Sequence, residues 1–223
     1  MKELRPNAKR ATYAITAIKV VLAINIIVLI SWYLQYNLLQ NIAQGQISIE
    51  KVESNNIRVE ILDNIYSLSY IISIILFIMW FRRAYYNLHK KVTYLSWKEG
   101  WASGAWFVPI LNLYRPYQIM IEMYEETQEL LLQKDSNSNL KLSTLYVGLW
   151  WALWSICGII GNIRHYIQMK TETIKEQTDI TLLNIIYSII LISLAIITIK
   201  VIKDYSKAES FLLDIEEETI NAN

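Results

Sequence analysis

Four long apolar runs constrain this chain more than any other feature of its sequence. They read "ITAIKVVLAINIIVLISWYL" over 15–34, "IYSLSYIISIILFIMWF" over 65–81, "LSTLYVGLWWALWSICGIIGNI" over 142–163 and "ITLLNIIYSIILISLAIITI" over 180–199. The second extends back to about 62. A helix of about 20 predominantly apolar residues crosses the ~30 Å hydrocarbon core of a bilayer. Buried helices of a soluble protein would need amphipathic neighbours to cover them, and a chain of 223 residues offers few. The first run is longer than a signal-peptide core and lacks a small-x-small cleavage site, so it is read as retained. The expected fold is all-α: a single domain over 1–223, a polytopic membrane protein with four transmembrane helices.

The basic residues set the expected direction. Four precede the first run, eight lie between the second and third, and three follow the fourth, whereas the two opposite loops together hold five. The exception, Lys19, lies a turn inside the first run and can snorkel back. Lys and Arg collect on the cytoplasmic side, so both termini and the 82–141 segment are expected there. The expected location is a bacterial cytoplasmic (inner) membrane.

Composition removes several function classes. The net charge of +1 offers nothing global to nucleic acid. The lone Cys157 allows no internal disulfide and is read as a small buried hydrophobe. No Cys/His set has zinc spacing, and no nucleophile elbow, phosphate-binding glycine loop or His-Glu-x-x-His occurs. No cofactor or metal is expected. Glu122, Glu125, Glu126 and Glu129 read as a solvated helix face in preference to metal ligands, Asp63 and Asn64 as a cap or first-turn acid, and Asn25 and Asn184 as interhelical hydrogen-bond formers in preference to part of a polar pathway.

The segment between the second and third runs is the unusual part. Trp80, Tyr85 and Tyr86 suit the interface level, with Arg82 and Arg83 among headgroups. "SWKE" at 96–99 has the form of a capping box. A helix from Trp97 would align Trp97, Trp101 and Ala105 and end near Val108, because Pro109 lacks an N–H and restricts the residue before it. Asn112 could cap a second helix with Pro116 in its first turn. The 97–133 segment is therefore expected to be a Pro-broken re-entrant or interfacial helix pair, partial insertion being preferred. Its break should pack against the four spans. In the third run Gly148, Ala152, Ser155 and Gly158 form a small-residue strip suited to close helix packing.

"WFRRAYYN", "GWASGAWFVPILNLYRPYQIM" and "LWWALW" together closely resemble the bacterial membrane family known as domain of unknown function 4328, over roughly residues 15–205. The family pattern falls on Trp80, Arg83, Ala84 and Asn87, then on Gly100, Trp101, Trp106, Phe107, Pro109, Asn112, Arg115 and Pro116, and finally on Trp150 and Trp151. The resemblance implies a four-span membrane protein and no particular reaction.

Arg82, Arg83, Asn87, Asn112 and Arg115 form the candidate site for an anionic lipid or ligand, since arginine forks and helix N-termini bind phosphate. The plainer reading keeps Arg82 and Arg83 as orientation signals and Asn112 as a cap. Three functions stay open. A non-catalytic module binding membrane lipids, another membrane protein or a second copy is preferred. A small transporter or channel subunit, or a membrane enzyme acting on lipids, are the alternatives. The acidic tail 208–223 reads as a docking segment or a solvated end.

Overall fold

The computed structural model describes residues 4–46, 48–134 and 140–221, the side chains of 134 and 212–221 excepted. Six α-helices follow one another: α1 Ala8–Ala43, α2 Ile49–Lys91, α3 Trp101–Gly104, α4 Arg115–Lys134, α5 Thr144–Gln168 and α6 Ile174–Asn221. No strand occurs among the described residues. Four of the helices, α1, α2, α5 and α6, are long and apolar enough to cross a membrane. α1 and α2, with 36 and 43 residues, would be about 54 and 64 Å long, well beyond the hydrocarbon thickness.

Local chemistry explains the ends of these helices. α1 stops at Gly45, whose φ of +83° suits glycine alone; the Gln46 amide turns back to Asn41 O at 3.0 Å. α6 begins with a capping box. Thr173 Oγ1 accepts from the Glu176 amide at 3.3 Å, and Glu176 Oε2 accepts from the Thr173 amide at 2.9 Å. α2 starts at Ile49, so Asp63 and Asn64 lie inside it and cap nothing.

The chain divides into two compact units. The first comprises residues 1–17, 73–151 and 197–223. Its centre is aromatic: the Phe77 ring lies 5.6 to 5.9 Å from those of Trp80, Phe81, Trp106 and Trp150. Trp151 meets Trp106 at 6.3 Å and stacks on Tyr117 at 6.0 Å. Trp80, Phe81 and Tyr85 are fully buried, so Trp80 and Tyr85 serve this core. α4 buries Ile119, Met120, Met123, Tyr124, Thr127 and Leu131. The Tyr124 hydroxyl donates to Val201 O on α6 at 2.8 Å.

The second unit comprises residues 18–72 and 152–196. Asn25 Nδ2 donates to Ser188 O at 2.9 Å, the interhelical bond expected of it. Arg58 bonds Ser31 Oγ, Ser31 O and Asn55 Oδ1 at 2.6 to 3.1 Å. Cys157 is buried, as expected.

The connection between α2 and α4 departs from expectation. α3 is only four residues long, starts at Trp101 and continues as a 3-10 turn, Ala105–Phe107. Its N-cap is Gly100, without a side-chain cap bond. The 96–99 capping box does not form because both of its groups are used elsewhere: Glu99 pairs with Arg82 and the Ser96 amide donates to Glu122. The buried face is Ala102 and Ala105 rather than Trp97, Trp101 and Ala105. Val108 is extended, at φ −102° and ψ 113°, as its place before proline requires. Asn112 lies within a second 3-10 turn, Leu111–Leu113, and α4 starts only at Arg115, so Asn112 is not its cap.

The break does not pack inward either. Phe107, Ile110 and Leu113 are 77%, 72% and 63% exposed. Part of the break's backbone is satisfied within the turns: Asn112 N–H reaches Val108 O at 2.8 Å, and Tyr114 N–H reaches Leu111 O at 3.2 Å. The small-residue strip of α5 is also open. A Cβ at Gly148 or Gly158 would meet nothing within 4 Å, and Ala152 is exposed.

Candidate functional site

In the first unit, Arg5, Arg10, Arg82, Arg83, Tyr86 and Glu99 line a pocket of about 180 Å³. Arg82 and Arg83 come from the last turns of α2, Arg10 from the first turn of α1 and Arg5 from the segment before it. Arg10 Nη1 donates to Met79 O at 3.1 Å. The Arg5 and Arg83 guanidiniums lie 4.6 and 5.7 Å from the Tyr86 ring centre, and Lys90 Nζ lies 4.5 Å from it. Glu99, the one acid among the described lining residues, sits 3.7 Å from Arg82, and both side chains are exposed, so this pair contributes little. Among the described residues, the lining holds four guanidiniums and one carboxylate and is therefore positive. Planar forks so arranged are suited to phosphate or carboxylate oxygens.

Asn87 acts beside this pocket, not in its lining. Its Oδ1 accepts from the Arg5 amide at 3.0 Å and its Nδ2 donates to Arg5 O at 2.8 Å. The same Nδ2 donates to Glu209 Oε1 at 2.6 Å, while Asn7 Nδ2 donates to Glu209 Oε2 at 2.9 Å. Asn87 thereby grips the Arg5 backbone and holds the N-terminal segment where Arg5 reaches the pocket. Glu209 is 5% exposed, so the start of the acidic 208–223 tail is a buried polar node and not a solvated end. The backbone of α6 runs on to Asn221, and the tail's side chains from 212 lie outside the described residues.

Asn112 and Arg115 are not in that lining. The Arg115 guanidinium stacks 3.3 Å over the Trp97 ring and lies 5.4 Å from Tyr114. Arg115 Nε and Asn112 Oδ1 are buried with no hydrogen-bond partner among the described residues. Nearby, Glu122 anchors the loop before α3: its Oε2 accepts from the Tyr85 hydroxyl and its Oε1 from the Ser96 amide, both at 2.6 Å. A hydrogen bond to Glu126, followed by burial, raises the Tyr94 phenol above its ordinary pKa. Thus Glu122 is a structural tie, whereas Glu125 and Glu129 are exposed as expected of a solvated face. Among the described residues, no three His, Cys, Asp or Glu side chains form a metal-ligand set.

Of the five residues expected to form a site, the structure brings Arg82 and Arg83 together and places Asn87 in a supporting role. Sequence reading missed Arg5, Arg10, Tyr86 and Glu99 as pocket residues. The basic N-terminal pair was visible as charge, but nothing in its spacing linked it to residues some seventy positions away. Neither curated proteins nor solved structures gave a match to the chain. The match to the family model starts at residue 43, so residues 15–42, which the resemblance includes, lie outside it. With its model spanning residues 43–207, the family "Domain of unknown function (DUF4328)" is the one to which this chain belongs.

Proposed function

We propose that this protein is a non-catalytic module of a bacterial cytoplasmic membrane whose arginine pocket holds the phosphate of an anionic lipid. The observation carrying this reading is the convergence of Arg5, Arg10, Arg82 and Arg83 on one small pocket in which Glu99 is the one acid among the described lining residues. Crowded like charges call for a counter-anion, and at the cytoplasmic surface the abundant anions are lipid headgroups. The excess of Lys and Arg beside the termini and the 82–141 segment supports a cytoplasmic position for the pocket.

The exposed tip of the same unit supports a membrane setting. Phe107, Ile110 and Leu113 project from a segment whose backbone is partly hydrogen-bonded within its own turns. In this reading the tip dips into the inner leaflet as a shallow re-entrant element, anchored by Trp106 in the aromatic core. The test is lipid retention. Arg5→Ala/Arg83→Ala should co-purify with less than about half the wild-type phosphatidylglycerol and cardiolipin, since it loses two charge-assisted donors. Lys175→Ala, on the opposite loop, should retain the wild-type amount. Equal retention by all three proteins would refute the proposal.

A further inference from the structure

The second unit contains a cleft of about 330 Å³ lined by residues of α1, α2 and α6, the end of α5 and the α5–α6 connection. Its volume is at the lower end of the ~300–1,000 Å³ typical of small-molecule sites. Its floor includes the buried Trp32 and Asn184, and its exposed rim carries Asn56, Glu60, Gln168 and Gln177. Asn184 is 2% exposed, yet its Oδ1 has no hydrogen-bond partner among the described residues. Asn25, the other asparagine deep in these helices, is bonded to Ser188 O, and Gln35 Nε2 donates to Thr181 Oγ1 at 3.2 Å. Buried acceptors in native proteins are nearly always paired, so the Asn184 oxygen marks the place of a donor.

The lining indicates what kind of donor. It holds no lysine or arginine, so an anion finds no counter-charge there, and its single formal charge is the Glu60 carboxylate. Carboxamides are donors and acceptors at once, which is also the character of a hydroxyl. The Trp32 ring adds an apolar wall of the kind that packs against a C–H face. We propose that this cleft binds a small uncharged polyol or saccharide, with Asn184 accepting a hydroxyl hydrogen at the floor and Glu60 accepting another at the rim. A free sugar and the glycosyl headgroup of a lipid share this chemistry. The proposal is independent of the arginine pocket.

The full chain would be purified in a detergent without a sugar headgroup and titrated with glucose, maltose and glycerol, with binding followed by saturation-transfer NMR. It would also be placed in phosphatidylglycerol discs with and without a monoglucosyl diacylglycerol. Saturable binding of a free sugar, weakened about tenfold or more in both Asn184→Leu and Glu60→Ala, is the expected result. Glu60 is exposed, so its variant tests the idea even if Asn184→Leu fails to fold. Enrichment of the glucosyl lipid without binding of free sugar would assign the site to a headgroup. Binding from neither source, or wild-type binding in the Glu60 variant, would overturn the proposal and leave solvent as the cleft's occupant.

Discussion

Asn87 shows how one side chain can shape a site it does not line. Both N–H donors of its amide group are used and its oxygen accepts once, with two bonds to the Arg5 backbone and one to Glu209. Glu209→Ala would remove the acceptor for both Asn87 and Asn7 and leave buried donors unpaired, at a cost of about 1–3 kcal/mol each. The expected outcome is a lower unfolding temperature together with faster tryptic cleavage after Lys9 and Arg10, as the N-terminal segment comes loose. A wild-type digestion rate would show that the grip on Arg5 does not depend on this carboxylate. Asn87 was legible from sequence as a member of the site, but its role was not, since neither Arg5 nor Glu209 is near it in the chain.

At the scale of elements, the 97–113 segment separates residues that look alike in sequence. Trp106 and Phe107 are adjacent aromatics, yet Trp106 meets Phe77, Phe81, Trp150 and Trp151 while Phe107 is 77% exposed. Trp106→Ala should cost about 3 kcal/mol and lower the unfolding temperature by several degrees. Phe107→Ala should leave stability nearly unchanged. Spin labels at Phe107 and Ile110, with the protein in lipid discs, should collide with oxygen and be shielded from a water-soluble nickel complex; free access to nickel would place the tip in water. The helix signals carry the same lesson. Ser96-x-x-Glu99 and Thr173-x-x-Glu176 have equivalent form, but only the second makes a capping box. The Ser96 amide is taken by Glu122 at 2.6 Å and Glu99 turns toward Arg82, whereas the Thr173 amide and Glu176 meet each other.

For the whole molecule, the positive-inside bias makes a prediction that needs no detail of side-chain packing. In a Cys157→Ser background, cysteines at the exposed Tyr94 and Gln44 would be labelled with an impermeant thiol reagent. The Tyr94 position should react only in inside-out vesicles and the Gln44 position only in intact cells. The reverse pattern would invert the orientation and remove the arginine pocket from the cytoplasmic leaflet.

The sequence by itself determined the four long apolar helices, the break at Pro109 and the charge asymmetry, because each depends on local composition: run length, a missing N–H and the placement of lysine and arginine. It also carried the family pattern. Tertiary structure alone decided that Trp80 and Tyr85 are core residues, that the Asn112 and Arg115 positions stand outside the arginine pocket, and that Arg5 and Arg10 belong to it. Those outcomes depend on which distant groups meet, where a guanidinium, an amide or a ring is captured by whichever partner satisfies it best. Local sequence holds no record of that competition.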